Sequence, residues 1–159
     1  MAKDEKKTRH IPKMENRKAF FDYEIVEKIE AGMSLFGSEV KSLREGGADL
    51  TGSFARIESN QCWLLGCNIA QYKQAHIRNH DPLRKRKLLL HKKQILKINS
   101  RLQQKGLTLV PLRIYFSERG FAKIELALAT GKRQYDKREK LKQRQQKGDI
   151  ARSMRKYKR

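Results

Sequence analysis

Long apolar runs and cysteines are both scarce in this sequence. No stretch of the 159 residues is long and apolar enough to cross a bilayer, and no apolar segment follows the charged start MAKDEKKTRH. We therefore expect a cytoplasmic location, with no membrane contact and no export signal. The two cysteines, Cys62 and Cys67, would lie roughly 16 Å apart on opposite faces of one strand. We predict reduced thiols in a β core, and neither a disulfide nor a metal site.

The sequence also lacks the motifs of nucleotide-dependent enzymes. It contains neither G-x-x-x-x-G-K-[ST] nor G-x-G-x-x-G. Ser38 and Lys41 match the pattern S-x-x-K, but the S-D-N and K-T-G motifs that accompany it in acyl-transferring enzymes are missing. The four histidines are scattered, which favours solvent-facing or phosphate-contacting roles over general-base catalysis. We predict a protein that is not an enzyme and uses no cofactor.

Acidic residues are few, and this imbalance is the strongest functional signal. The chain has 38 Lys and Arg against 17 Asp and Glu, which gives a formal net charge of +21. Clustered cations gain affinity for a phosphate polymer by releasing its condensed counterions, so a nucleic acid is the favoured partner. The alternative is a charge excess that only keeps the chain in solution.

Alternation of apolar and polar residues predicts six β-strands. Gly32 is expected to turn the first strand into the second, and Ser59 with Asn60 suits a hairpin turn between the third and the fourth. Pro111 cannot donate to a ladder, so its strand should lie at an edge or carry a bulge. The predicted strands are 23–31, 33–40, 51–59, 61–70, 107–116 and 121–130.

Helical periodicity is limited to short segments. A short helix is expected over 14–21, and a longer helix near 91–105 has Ile95, Ile98 and Leu102 on one face. Six strands with one inserted helix predict a mainly β fold, a small closed OB-type barrel, with a sandwich as the alternative. We expect three parts: a flexible N-terminus over 1–12, a barrel over 13–130 and a basic tail over 131–159.

Two basic clusters of the predicted barrel suit nucleic-acid binding. Asn16, Arg17 and Lys18 lie beside aromatic residues, so that cations could hold phosphates while a ring stacks on a base. The rings could instead close one end of the barrel. The run Arg84 to Lys87 is anchored by three leucines and would present its charges with little loss of ordering entropy, although a solvated loop is the alternative.

The tail is the third basic cluster, with 13 Lys and Arg against three acidic residues. Ile150, Met154 and Tyr157 share one face of a possible helix. No core covers this apolar stripe, so the tail is expected to be disordered alone and to become helical on a partner. Gly131 is the expected hinge between barrel and tail.

Five blocks of the sequence form a recognisable set: N-R-K-A from Asn16, E-A-G from Glu30, G-S-E-V-K-S-L-R from Gly37, R-K-L-L-L from Arg86, and the segment from Gly131 to Glu139. Taken together, these blocks resemble the family of SsrA-binding proteins, also called small protein B or SmpB. The resemblance runs from about Asn16 to the C-terminus and is specific because E-V-K-S-L-R and Y-D-K-R-E occur together at this spacing.

The resemblance implies a bacterial partner of transfer-messenger RNA in trans-translation, which rescues ribosomes stalled on messages without a stop codon. An OB-type barrel of this family holds the tRNA-like part of that RNA near its D-loop and elbow. The tail enters the decoding centre and the empty mRNA channel of the ribosome. The implied activity is binding, by a protein that is monomeric when bound to RNA.

The resemblance also implies roles for individual residues. Asn16, Glu30 and Leu89 are assigned to the transfer-messenger RNA surface. Glu30 would accept hydrogen bonds from base amino groups or ribose hydroxyls, or it could simply shape the turn at Ala31. Supporting phosphate contacts are assigned to Arg17, Lys18, Arg84, Arg86 and Lys87. The ribosome-contacting residues of the tail are assigned as Lys132, Arg133, Tyr135, Asp136, Lys137, Arg138, Ile150, Arg152, Met154, Arg155 and Tyr157.

Two alternatives of other kinds remain open at this point. One is a general OB-fold RNA-binding or ribosome-associated protein without specificity for transfer-messenger RNA. The other is a small nuclease or RNA-modifying enzyme, which would need a convergent acid, base or metal cluster.

Overall fold

The computed structural model describes residues 13–103 and 106–133, together with positions 138, 142, 145, 146, 150 and 152–154. Within these residues the chain forms nine strands, three α-helices and a 3₁₀ helix at Lys73–Arg78. None of the described helices is long and apolar enough to span a membrane. The elements are β1 Met14–Glu15, α1 Arg17–Asp22, β2 Tyr23–Met33, α2 Gly37–Arg44, β3 Ala48–Asp49, β4 Phe54–Glu58, β5 Gln61–Leu65, β6 Asn68–Ile69, β7 Arg86–Leu89, α3 Lys92–Leu102, β8 Leu107–Phe116 and β9 Ala122–Gly131.

One antiparallel sheet of seven strands dominates the fold. Its order is β1-β8-β4-β5-β7-β2-β9, and β9 also pairs with β8 along most of its length. Six strands are therefore paired in a cycle, in the order β8, β4, β5, β7, β2, β9 and back to β8. Strand β1 pairs with β8 outside this cycle. Strands β3 and β6 form a separate two-stranded pair. The predicted mainly β fold is confirmed.

The first half of the sheet differs from its prediction at Gly32. Strand β2 continues through Gly32 to Met33, and the predicted second strand is instead the helix α2. A Cβ added at Gly32 would lie 3.3 Å from Leu89 Cβ, so the glycine allows β2 and β7 to pack closely and makes no turn. Helix α2 buries Glu39, Ser42 and Leu43. Spacings of three and four residues are typical of one helix face, and the prediction of a strand over 33–40 overlooked them.

The second half agrees with its prediction at the hairpin turn, the bulge and the inserted helix, but the predicted strand 61–70 is divided into β5 and β6, and β7 is an additional strand. Ser59 and Asn60 have positive φ angles of 48° and 57°, as a two-residue hairpin turn between β4 and β5 requires. The β8–β9 register shifts between Pro111 and Arg113, which is the predicted bulge. Helix α3 buries Ile95 and Ile98 on the predicted face.

The interior of the strand cycle is apolar and contains both cysteines. Cys62 and Cys67 are free thiols that are fully buried, and burial raises the pKa of each to about 11. They are therefore unreactive core side chains, as predicted. Their predicted placement on opposite faces of one strand was wrong, because β5 ends at Leu65 and both cysteines lie in the same core cluster. The largest fully buried apolar residues are Leu43, Leu64, Ile69, Leu88, Leu109, Leu112, Ile114, Ile124, Leu126 and Leu128.

A buried ion pair joins α2 to β7. The side chains of Glu39 and Arg86 are both 0% exposed, and Arg86 Nε donates to Glu39 Oε1 over 2.7 Å. The remaining guanidinium N–H groups donate to the carbonyl oxygens of Cys67 at 2.6 Å and Pro82 at 2.9 Å. Arg84 adds a second guanidinium, which binds both Glu39 oxygens.

The carboxylate of Glu39 stays ionised despite its burial. Burial raises the pKa of Glu39, but hydrogen bonds from Arg84, the Phe36 backbone N–H and Arg86 outweigh it, and the pKa falls below the ordinary 4.5. The pair fixes the N-terminus of α2 against the loop before β7. Removing one partner would leave the other charge buried without compensation.

We expect Glu39→Gln to lower the free energy of unfolding by about 3–5 kcal/mol, because it leaves two guanidinium groups facing an amide. Urea unfolding followed by circular dichroism measures the loss. The matched control is Glu58→Gln, whose partner Arg56 lies 3.7 Å away and whose side chain is 43% exposed. The control should lose at most about 1 kcal/mol, and equal losses in the two variants would contradict the structural role of Glu39.

The same variant carries a pH signature. The lowered pKa of Glu39 means that its stabilisation is complete above 4.5 and is lost as the pH falls through the pKa of the folded state. The difference in unfolding free energy between wild type and Glu39→Gln should therefore shrink below pH 4.5. A difference that grows with acid would contradict this assignment.

Candidate nucleic-acid interface

Glu30 and Leu89 lie at one cleft, although 59 positions separate them in the sequence. The antiparallel register places Gly32 of β2 opposite Leu89 of β7, so Glu30 is two residues from that pairing. The start of α3 and Lys123 of β9 form the other walls. The cleft encloses about 420 Å³, and its lining includes Glu30, Gly32, Leu89, His91, Lys97 and Lys123.

Glu30 is held in a defined orientation at the cleft. Tyr115 Oη donates to Glu30 Oε2, and Lys123 Nζ lies 3.1 Å from Oε1. These two hydrogen bonds, that of Tyr115 being the stronger influence, hold the pKa of Glu30 below 4.5. The side chain is still 53% exposed. Glu30 is therefore an ionised hydrogen-bond acceptor that Tyr115 and Lys123 hold in place, and its exposed part is open to a ligand.

The cleft is cationic because its other carboxylate is occupied. Glu27 is bound by Lys97, whose Nζ lies 2.8 Å away, and by Arg101 of α3. These contacts, led by the hydrogen bond from Lys97, lower the pKa of Glu27. Lys28 and Lys123 bring the lining to four Lys and Arg against two Glu, although Lys28 is itself paired with Glu125 at 3.2 Å and Lys123 with Glu30. A polyanion that enters the cleft meets a surplus of positive charge.

An apolar recess lies beside the cleft. Leu89 is 53% exposed and Phe121 is 65% exposed. Both line a recess of about 430 Å³ that also includes His91 and Lys123. The pair supplies flat apolar surface next to hydrogen-bonding and cationic groups, a combination that suits an RNA base and its phosphate.

Asn16 is placed differently from its predicted RNA-facing role. Its side chain is buried, and Oδ1 accepts from the Ala19 backbone N–H over 3.0 Å as the N-cap of α1. Nδ2 donates to Leu50 O at 2.9 Å and Pro111 O at 3.1 Å. Every hydrogen-bonding atom of the amide therefore has an internal partner, and Asn16 acts by docking α1 onto the sheet. Its neighbours Arg17 and Lys18 are exposed.

The basic run from Arg84 to Lys87, which leads into β7, is divided between interior and surface. Arg86 cannot contact phosphate in this fold because it is fully buried on Glu39, so its predicted role does not fit. Arg84 is also bound to Glu39, and its guanidinium lies 4.0 Å above the Phe36 ring. Lys87 and Lys85 point outward from the sheet surface. Strict alternation in β7 was the missed signal, since an inward Leu88 requires an inward Arg86.

The start of the tail is fixed to the domain. Gly131, the expected hinge, still pairs with Tyr23 as the last residue of β9. The Lys132 backbone N–H donates to Asp22 O over 2.9 Å, and Lys132 Nζ donates to Phe20 O at 3.0 Å and Phe21 O at 3.2 Å. These are carbonyls at the C-terminal end of α1, where a cation is favourable. Gly131 and Lys132 are therefore held by the domain, so the predicted hinge does not lie at Gly131.

The rest of the tail is described only in part. Arg133 and Arg138 are exposed, and Arg138, Ile150 and 152–154, which include Arg152, are helical. Ile150 is 55% exposed and Met154 is 66% exposed, so no described core covers the predicted stripe. The predictions for Tyr135, Asp136, Lys137, Arg155 and Tyr157 lie outside the described residues.

Three contributors to the cleft were missed by sequence reasoning. Tyr115 and Lys123 reach Glu30 only through the β8–β9 hairpin and the pairing of β9 with β2, so their proximity depends on register. Phe121 precedes β9 and lies far from Leu89 in sequence. The part of the chain that the structure describes contains no group of three or more His, Cys, Asp or Glu that could hold a metal ion.

We expect Tyr115→Phe to raise the pKa of Glu30 toward 4.5, because the hydrogen bond from Tyr115 is the largest influence that lowers it. A carboxyl-carbon NMR titration of Glu30 measures the change. Tyr23→Phe is the matched control, since Tyr23 lies seven residues away at the opposite end of β2. An unchanged Glu30 titration in Tyr115→Phe would contradict the orientation described here.

Comparison with known proteins gives a consistent result. Residues 13–156 match the family model described as SmpB protein. The SsrA-binding protein of Sulfurihydrogenibium sp. is 57% identical over 138 residues, which cover 87% of this chain and 90% of that protein. The SsrA-binding protein of Levilactobacillus brevis is 48% identical over 155 residues and covers 98% of both chains, so the similarity includes the tail.

A solved structure is similar as well. A chain in the structure described as "tmRNA-SmpB: a journey to the center of the bacterial ribosome" is 53% identical, with a TM-score of 0.65. The match covers 80% of this chain and 93% of that chain.

Proposed function

Because this chain belongs to the SmpB protein family, a family of RNA-binding proteins and not of enzymes, we propose that it binds transfer-messenger RNA and acts in trans-translation. In this proposal it holds the tRNA-like part of the RNA and delivers it to stalled ribosomes. The observation that carries the proposal is the cleft in which Glu30 and Leu89 meet. Both residues stand in sequence blocks that resemble the family, E-A-G and R-K-L-L-L.

The cleft offers three kinds of contact to RNA. The fixed carboxylate of Glu30 accepts hydrogen bonds from base amino groups or ribose 2′-hydroxyls, which a phosphate cannot provide. Leu89 and Phe121 pack against a base or a sugar. Lys123 and the other cations of the lining neutralise phosphates. This combination reads the shape and edges of folded RNA, and not only its charge.

We propose supporting positions for the other predicted residues. Arg17, Lys18 and Lys87 are available as phosphate contacts because their side chains are at least partly exposed. Asn16, Arg84 and Arg86 support the surface from within, through the hydrogen bonds described above. We further propose that the cycle of six strands is the closed OB-type barrel expected from the sequence, that the domain ends near Lys132, and that the bound protein is a monomer.

The basic tail is the proposed ribosome-contacting segment. Lys132 anchors the start of the tail to α1, so in this proposal Lys132 is part of the domain and the contacting residues begin at Arg133. Exposed Ile150 and Met154 give the segment an apolar face that has no described partner inside the chain. In the proposed function this face and the surrounding cations form a helix against rRNA in the decoding centre and mRNA channel.

We expect Glu30→Ala and Leu89→Asp each to weaken binding of transfer-messenger RNA by about tenfold or more, because each removes one contact worth 1–3 kcal/mol. Filter binding in competition with excess bulk tRNA measures the specific affinity. Glu24→Ala is the matched control, since Glu24 is an exposed carboxylate of the same strand outside the cleft.

Circular dichroism and melting temperature should stay close to wild type in both variants, because both side chains are more than half exposed. Unchanged affinity in both would remove the cleft from the proposal. Equal affinity of the wild type for transfer-messenger RNA, tRNA and poly(U) would instead favour the general RNA-binding protein.

Truncation after Lys132 should leave transfer-messenger RNA bound but abolish the tagging of unfinished proteins on stalled ribosomes. The truncated chain retains the contacts of Lys132 with α1 and lacks the rest of the tail. A reconstituted tagging assay measures this effect. Within the full chain, Met154→Asp should reduce tagging more than Lys158→Ala, since it places a charge in the apolar face. Normal tagging by the truncated protein would refute the role of the tail.

A further inference from the structure

A second aromatic and basic surface lies on the outer face of β4, β5 and β7. Trp63 of β5 is paired with Arg56 of β4 on one side and with Lys87 of β7 on the other. Neighbouring strands lie about 4.8 Å apart, so the three side chains form one row about 10 Å long. We call this the Trp63 row.

The alternation of the strands turns the row outward. The sequence neighbours of Trp63 and Lys87 within their strands point the other way: Cys62, Leu64 and Leu88 are fully buried or nearly so in the core. Arg56 is 67% exposed and Trp63 is half-buried. Phe54, two residues from Arg56 on the same face, is 44% exposed and stands diagonally from Trp63, within reach of the same ligand.

The row carries positive charge that is open to a ligand. Lys85 Nζ lies 5.3 Å from the centre of the Trp63 ring, a cation–π contact on an exposed side chain. Arg56 is paired with Glu58 at 3.7 Å, but both groups are largely exposed and such pairs are worth little. Lys85 and Lys87 form no salt bridge with any carboxylate of the described residues.

We propose that the Trp63 row is a second RNA-binding surface, which stacks unpaired bases on Trp63 and Phe54 and holds their phosphates with Arg56, Lys85 and Lys87. Base stacking on an aromatic side chain contributes about 1–3 kcal/mol and tolerates any sequence. The surface needs neither Glu30 nor the tail. It therefore goes beyond the proposed function, because it concerns single-stranded RNA and the rings of Trp63 and Phe54, although Lys87 lies on the same outward side of β7 as Leu89.

The chemistry favours RNA over an acidic protein. An acidic peptide would satisfy the three cations, but its carboxylate side chains do not stack on the two exposed rings. Unpaired bases use both, and the phosphates between them lie next to the cations. Double-stranded RNA hides its base faces and would contact only the charges.

Trp63 is the single tryptophan of the chain, so its fluorescence reports on this surface alone. We expect a short oligouridylate to quench the fluorescence of the full-length protein in a saturable way, because a base covers the indole. An RNA duplex of the same length and a polyglutamate of the same charge should leave the emission largely unchanged. No quenching by the oligouridylate, or equal quenching by polyglutamate, would overturn the proposal.

Variants separate the row from the rest of the basic chain. Lys85→Ala and Lys87→Ala should each raise the oligouridylate concentration at half quenching about fivefold at 0.1 M salt, which is the counterion term of one phosphate contact. Lys93→Ala removes an exposed charge on α3, as Lys85→Ala does before β7, and is the matched control. Identical shifts in all three variants would mean non-specific attraction and overturn the proposal.

Variants at Trp63 test the stacking role. They remove the fluorescent indole, so their binding is measured with a labelled oligouridylate. Trp63→Phe should keep most of the affinity measured by fluorescence anisotropy, whereas Trp63→Leu should lose about five- to a hundredfold. Equal affinity of these two variants would overturn the proposal.

Different variants test the proposed RNA-binding role of the cleft and that of the Trp63 row. Glu30→Ala should weaken transfer-messenger RNA binding and leave the Trp63 quenching by oligouridylate unchanged. If the row variants have no effect while Glu30→Ala does, the second surface is wrong and the proposed function stands. If quenching also disappears in Glu30→Ala, the row is not a separate surface and the proposal fails.

Discussion

The ion pair between Glu39 and Arg86 is the constraint on which the positions of the other elements depend. It is buried in a domain with a modest core, so it cannot be broken without leaving a charge in the interior. It joins the start of α2, the carbonyls of the segment before β7 and β7 itself. Because β7 also pairs with β2, the pair indirectly sets the place of Leu89 beside Glu30. The cleft thus depends on two residues that never reach it.

A basic chain must divide its cations between structure and binding. Arg86 is used entirely inside the fold, Arg84 mostly so, and Lys132 caps a helix. The planar guanidinium suits the interior because it saturates several acceptors at once, while the flexible lysines Lys85 and Lys87 remain at the surface. Sequence charge alone therefore overstates the number of groups that are free to meet a polyanion.

The sequence was most informative where a local rule decides the backbone. Ser59 and Asn60 require a hairpin, and Pro111 requires a bulge, whatever surrounds them. It was least informative where tertiary packing decides. Gly32 is typical of a turn in isolation, and only the approach of Leu89 explains a glycine inside a strand. Glu30 and Leu89 were found through family resemblance, whereas Tyr115 and Lys123 depend on strand register, which no single residue encodes. Arg86 was misplaced because four consecutive cations were interpreted as one unit, although a strand alternates its faces.

The contact of Lys132 with the last carbonyls of α1 fixes the position at which the tail leaves the domain. The distance that the tail spans from this position therefore depends only on its own conformation. From Arg133 the remaining 27 residues extend about 40 Å if they are fully helical. The same residues reach about 90 Å if they are extended. The distance from the domain surface to the farthest point that the C-terminus touches therefore reports the conformation of the segment between them. A probe at Lys158 and another near Phe20 would measure that distance on any particle to which the domain is bound.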